Sequence, residues 1–337
     1  MCRIQEKAVR EEDLLGPLTG AYLRWLFRES LSCNASRVLF MSREGGFFLK
    51  AWERMGFQDR LKAAHLECSR KSLGRALEEE EQAQALGLYL KGFDLHGRVV
   101  LADLGWGGTM QRMLTEFASC RRQDLCFLGL YMGLSESAAG QKGSPPLPAR
   151  GFLFDALHDR PRPGRGPFYT PEAPFIGLFE SLFLEMKGSV EGYRILEGGE
   201  VLPERGPCEF RTEEGILLPE GEMILCLQER ALESLEEERE LTPEEAFAPL
   251  LRLGMEPTLA EARRFGNIPF LDQGRILPLA RPGPPLFYLV RPLRLLKDFR
   301  ESRWKMGFLR LLLGGSRSWK GLYDLCRGLY RSFRRKE

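Results

Sequence analysis

The stretch Val99–Leu114, VVLADLGWGGTMQRML, decides how the rest of the chain is read. Its first four residues, Val99 to Ala102, have the make-up of a buried strand. A single carboxylate follows at Asp103, then the glycine turn Gly105-Trp106-Gly107-Gly108. From Thr109 an amphipathic helix places Met110, Met113 and Leu114 on one face. Strand, glycine turn and helix together make an anion cradle. Glycines let the backbone approach a phosphate, and the unbonded N–H groups of the new helix point at it. An acid at the strand's carboxyl end stands where open α/β sheets bind their ligands.

The same device occurs once before in the chain. Arg37–Met41 is a short apolar strand that runs into Ser42-Arg43-Glu44-Gly45-Gly46 and a helix over Phe47–Met55. Ala63–Cys68 reads as a strand ending in Ser69-Arg70-Lys71-Ser72. Helical spacing marks Leu14–Leu31 and Leu77–Lys91, and apolar runs mark strands at Leu125–Met132 and Gly151–Phe154. Strands alternating with helices predict an α/β fold with a parallel-sheet core and helical additions. Three polar loops, Ser42–Gly46, Ser69–Lys71 and Asp103–Thr109, would then meet at one edge of the sheet.

Gly, Pro and Ser mark loops over Ser135–Arg150 and His158–Thr170. A helix over Pro174–Met186 carries Glu180 and Glu185, and Arg194–Pro203 has the pattern of a hairpin. Pro219–Glu240 reads as an acidic helix. Pro243–Arg264 reads as helix broken at Pro249 and Pro257. Three segments result: an α/β core over 1–207, a mainly helical acidic region over 208–290, and a basic aromatic tail over 291–337.

With 337 residues, 43% of them hydrophobic and 28% charged, the chain can bury a full-sized core. No run of eighteen apolar residues predicts a membrane span, and the polar Met1–Asp13 predicts no secretory signal. Eight cysteines without C-x-x-C spacing read as reduced thiols of a cytoplasmic protein, and three histidines are too few for structural zinc. His65, His96 and His158 read as structural or exposed. The net charge of +2 hides an asymmetry. From Arg291 onward fourteen Lys/Arg stand against four Asp/Glu, a net +10, which leaves −8 on residues 1–290.

The order S-R-E-G-G, S-R-K-S, D-L-G-W-G-G-T resembles the phosphoribosyltransferases. More closely, SREGGFFLKAW, SRKSL, ADLGWGGTMQRML, FLGLYMGL, FESLFLEMKGSVEGY and SRWKMGFLRLL resemble a family from bacterial surface-polysaccharide clusters that is paired or fused with a HAD-type phosphatase. The resemblance implies a phosphoribosyltransferase-like core and a glycosyltransferase (pentosyltransferase) activity. A 5-phosphoribosyl group would pass from phosphoribosyl pyrophosphate (PRPP) to a sugar acceptor, lipid-linked, in capsule or O-antigen synthesis. A separate phosphatase would leave ribofuranose, since no D-x-D-x-[TV] motif occurs here.

Carried onto these positions, the resemblance makes Asp103, Arg43 and Glu180 catalytic. Asp103 would accept from the ribose hydroxyls or orient the metal. Gly105, Trp106, Gly107, Gly108 and Thr109 would hold the 5-phosphate. Ser42, Glu44, Gly45 and Gly46, with Arg43, Arg70 and Lys71, would hold the pyrophosphate. Glu180, Glu185 and Glu44 are the candidates for a weak base. Mg²⁺ would arrive with PRPP, keeping much of its water, so no dedicated protein metal site is needed. The chain has Ala102–Asp103 where that fold carries paired acids, which keeps a non-catalytic binding protein open. An S-adenosylmethionine-dependent methyltransferase also stays open on L-A-D-L-G-W-G-G, although Cys126–Leu134 supplies no acid for its ribose.

Trp106 reads either as a stacking platform for a sugar or as a core plug. The tail interleaves Trp304, Phe308, Trp319, Tyr323, Tyr330 and Phe333 with Lys and Arg. That pattern suits the anionic inner face of a membrane, or plain packing on the core. The acidic body argues against nucleic acid.

Overall fold

The computed structural model describes residues 12–121, 125–139, 147–158, 174–236, 240–272, 274–315, 319–321 and 323–324. Its centre is a five-stranded sheet in the order β2-β1-β3-β4-β5, every neighbouring pair parallel. The strands are β1 (Arg37–Met41), β2 (Ala63–Leu66), β3 (Gly97–Trp106), β4 (Leu125–Leu134) and β5 (Ala149–Asp155). The protein therefore has an α/β fold, a parallel-sheet core with helical additions.

Side chains alternate between the two faces as the pleat requires. Val38 and Phe40 of β1, Val100 and Ala102 of β3, and Leu130 and Met132 of β4 share one apolar cluster. It is covered by α1 (Glu12–Ser32), α2 (Gly45–Arg54), α6 (Ile176–Ser181), α7 (Pro219–Glu233), α8 (Pro243–Met255), α9 (Leu259–Gly266) and α12 (Lys305–Leu313). Leu39, Met41, Val99, Leu101 and Tyr131 face the other way, toward α3 (Arg70–Glu78), α4 (Glu80–Lys91) and α5 (Thr109–Cys120). Val190 and Tyr193 of the antiparallel hairpin β6 (Val190–Ile195) and β7 (Val201–Arg205) complete that second cluster. A second small hairpin, β8 (Pro269–Asp272) with β9 (Arg275–Pro278), lies between α9 and the last helices. The first cluster runs from Leu14 to Tyr323, so all three segments expected from composition contribute to one core.

Several elements differ from their expected bounds. β3 does not stop at Ala102. It continues to Trp106, because Gly105 pairs with Gly133 and Trp106 with Leu134, and the Ser135 amide donates to the Trp106 carbonyl at 2.8 Å. The turn before α5 is thus only Gly107-Gly108. The helix expected over Pro174–Met186 shrinks to α6, because Gln228 of α7 takes the Leu182 and Leu184 carbonyls through its amide (3.1 and 3.0 Å). Pro249 sits inside α8 rather than ending it, whereas Pro257 does separate α8 from α9. Trp304, Phe308 and Tyr323 of the tail are core residues, 0%, 1% and 8% exposed. The loop expected over His158–Thr170 lies outside the described residues from 159, and that over Ser135–Arg150 does so at 140–146. Tyr330 and Phe333 lie outside them too.

Candidate functional site

In the order β2-β1-β3-β4-β5 the chain changes direction between β1 and β3. The helix after β1, α2, covers one face, and the helix after β3, α5, covers the other. Their two loops part at the carboxyl ends of adjacent strands and leave a crevice, the place where open α/β sheets take ligands. A cavity of about 430 Å³ occupies it. Ser42, Arg43 and Glu44 line it from β1, Ser69 and Arg70 from the start of α3, and Asp103 with Gly105 to Thr109 from β3 and its turn. Glu180 reaches in from α6. The three loops expected to converge do meet, and Glu180 joins them from α6.

Gly45, Gly46, Lys71 and Glu185 do not line this cavity. Gly45 and Gly46 open α2 and are needed for packing. A Cβ on Gly45 would stand 2.7 Å from the Phe40 carbonyl oxygen, and one on Gly46 would stand 2.2 Å from the Glu185 carboxylate. Lys71 pairs with Glu191 at 2.9 Å on the outer surface. Glu185 turns toward His65 and Lys187.

The backbone at the cleft is held in unusual conformations. Ser42 (φ +63°) and Trp106 (φ +77°) are both left-handed without being glycine, and each costs on the order of 1–3 kcal/mol. Gly108, at φ +62°, caps α5. The first intrahelical bond of α5 is Arg112 N–H to the Gly108 carbonyl (3.1 Å), so the amides of Thr109, Met110 and Gln111 come before the helical ladder. Trp106 stacks on Phe154 (5.6 Å between ring centres) and donates its indole N–H to Glu180 at 2.8 Å. It therefore serves both as plug and as cleft wall.

Glu44, Asp103 and Glu180 form an acidic floor. Burial pushes the Asp103 carboxyl well above the usual range, and the charge of Glu44 pushes the same way. The Leu104 N–H, which donates to Asp103 at 2.9 Å, only partly opposes this. Glu44 is pushed up to about 7 by burial, against the attraction of Arg43. Burial also raises Glu180 despite its bond from Trp106. Three acids from three separate elements thus resist ionisation together, a state that a bound cation or a donated proton relieves.

Arg43 and Arg70 provide the positive side. Arg43 forks onto Glu209, a buried acid that sequence reading did not single out, at 2.7 and 3.0 Å. Burial disfavours the guanidinium charge, but these bonds outweigh it and its pKa rises further. Glu209 is 166 positions from Arg43 and has no motif around it. Arg70, exposed in the first turn of α3, lowers both Asp103 and Glu180 by its charge. Ser69 caps that helix in a capping box with Ser72 and also donates to the Val190 carbonyl (2.5 Å), which fixes the loop. Cys68, Tyr131, Ser137 and Ser189 also line the cavity and were likewise not foreseen. Burial pushes the Cys68 thiol to about 12, so it is an unreactive wall residue.

Behind the cleft His65 donates Nε2–H to the Ser42 carbonyl at 2.6 Å. Its Nδ1 lies 3.9 Å from Glu67 and 3.8 Å from Glu185. The ligand atoms of these three residues lie within 4.8 Å of one another. Lys187, 3.7 and 3.6 Å from the two carboxylates, and Arg205 on Glu67 already supply positive charge there.

No family model and no curated protein matches the chain. The methyltransferase reading gains nothing from the site, because β4, the strand after the glycine turn, carries no acid, and Glu136 just beyond its end does not line the cavity. Among the described residues no helix is long and apolar enough to cross a membrane.

Proposed function

We propose that the cleft binds PRPP and transfers its 5-phosphoribosyl group to a hydroxyl of a growing, lipid-linked surface glycan at the cytoplasmic side of the membrane. A separate HAD-type phosphatase then leaves ribofuranose. One observation carries this reading. The amino end of α5, the acid trio and Arg70 surround a single cavity at the sheet's switch point, which suits a ligand with two phosphate ends and a sugar between.

The 5-phosphate sits on the amides that open α5, where Gly107 and Gly108 leave room and Thr109 adds a hydroxyl donor. Asp103 accepts from the ribose hydroxyls. The diphosphate lies toward Arg70, with Ser42 and Ser69 beside it. The oxygens of Glu44 and Asp103 are hard donors that would suit Mg²⁺. When bound, the ion neutralises diphosphate charge. In the step itself the bond from ribose C1 to the diphosphate oxygen breaks, and the diphosphate leaves with the electron pair. The acceptor oxygen forms the new bond to C1 and gives its proton to Glu180, which Trp106 holds in place. Negative charge grows on the diphosphate as the bond breaks, so Arg70 stabilises the transition state more than the ground state.

Calorimetric titration with PRPP, with and without Mg²⁺ and beside S-adenosylmethionine, tests the reading. Mg²⁺-dependent PRPP binding that Asp103→Asn abolishes is expected. Binding of S-adenosylmethionine instead refutes it. PRPP binding without transfer to any glycan acceptor assigns a non-catalytic role.

A further inference from the structure

Large apolar side chains left in water mark a contact with something else. Between residues 286 and 296 five of them cluster: Leu286 (76% exposed), Leu289 (77%), Val290 (78%), Leu293 (79%) and Leu296 (65%). Elsewhere among the described residues only Ile216 is comparably exposed. They stand on two consecutive helices, α10 (Pro285–Leu289) and α11 (Pro292–Glu301), and on the turn between them. The inward side of this unit is satisfied, since Tyr288 is buried and Leu295 and Phe299 pack on the core. Among the described residues the outward side has no apolar partner.

Charge says what covers it. Arg291, Arg294, Lys297 and Arg300 are exposed along the same helix. From Arg281 to Glu301 five Lys/Arg stand against two acids. Protein interfaces are rich in aromatic residues and poor in Lys. Here the aromatic rings are turned in, and the outward side chains are aliphatic or long and cationic, with Glu301 as the one exposed acid, 3.9 Å from Lys297. Leucines that dip below the headgroups, with Lys and Arg reaching back to them, are the mark of a helix lying in a bilayer interface.

The unit is also firmly mounted. Lys305 donates its ammonium to the Phe299 and Arg300 carbonyls at 2.7 Å, and Ser302 donates to the Leu279 carbonyl at 2.7 Å. Arg303, the next residue, packs on Gly177 of α6, where an added Cβ would meet its Cβ at 2.5 Å. Its charge reaches Glu180 of the same helix.

We infer that α10–α11 lays the protein on an anionic bilayer and holds the cleft beside the lipid surface. The inference concerns the surface alone and does not depend on which donor the cleft takes, so vesicle binding and PRPP binding fail or succeed separately.

Flotation of the full chain with phosphatidylcholine vesicles, with and without phosphatidylglycerol, tests it. Binding is expected only with phosphatidylglycerol and should fade as salt rises. Leu289→Glu with Leu293→Glu should reduce partition at least tenfold. Arg294→Gln with Lys297→Gln should reduce it about twenty-five-fold, since each basic group near an anionic surface is worth roughly fivefold. All four positions are exposed, so unchanged melting temperatures are expected to exclude misfolding. Equal binding to neutral vesicles, or none to either, overturns the proposal. So does a dimer in light scattering that the leucine variant breaks, because a second copy then covers the face.

Discussion

Glu209 holds the cleft wall from behind, and its removal strands a buried guanidinium. Glu209→Ala should cost about 3 kcal/mol in urea unfolding, since breaking a buried pair leaves the other charge uncompensated. Glu44 gives a pH signature. Its carboxyl titrates near 7 in the native state against 4.5 in the unfolded chain, so the native state binds the extra proton between these values. Stability contributed by this group therefore falls as pH rises from 4.5 to about 7, and the penalty is complete above that. Glu44→Gln removes it. The variant should gain on the parent protein by about 3 kcal/mol between roughly pH 5 and pH 8, read from paired urea curves. Asp103, Arg70 and Glu180 were legible as cleft residues because Asp103 follows a buried apolar run, Arg70 opens a helix after a strand and Glu180 lies on a mostly apolar helix. Glu209 was not, because its partner comes from a contact between distant parts of the chain. Gly45-Gly46 looked like a second cradle because close helix packing and phosphate binding ask for the same residue.

Among the elements, β3 and its turn carry the strictest demands. Gly105 lies at φ +101°, and an added Cβ would meet the Gly133 carbonyl oxygen at 2.5 Å, which is backbone and cannot step aside. Gly105→Ala should cost about 3 kcal/mol in thermal unfolding. Gly107→Ala, two residues on, meets only the Ser137 hydroxyl at 3.1 Å and should cost less than about 1 kcal/mol. Equal losses would show that the turn, not the strand, sets the limit. Four of the five strands could be placed from apolar runs to within two residues at either end, and β1 to the residue. The end of β3 could not, because Asp103 and Gly105, residue types depleted from strands, interrupt the apolar run before its last pairs. The short α6 was hidden for a similar reason, since a side-chain amide of α7 takes the carbonyls that a longer helix would have used.

At the scale of the molecule, the tail belongs to the core. Trp304 is fully buried and donates its indole N–H to the Gly254 carbonyl at 2.9 Å. Trp304→Ala should lower stability by about 4 kcal/mol and shift one cooperative calorimetric transition, not a separate one. Composition showed the tail to be basic and aromatic but could not say which rings turn inward, because burial there depends on α8, α9 and β9 meeting it. The first helix has a related dependence. Leu15, Leu18 and Leu23 of α1 are fully buried in the cluster that contains Ile224 and Leu227 of α7, which follow about 200 residues later. At typical rates of synthesis that interval lasts about 10–40 s. For that time the nascent chain can pack α1 on α2 and the first strands but leaves in water the face that α7 will cover.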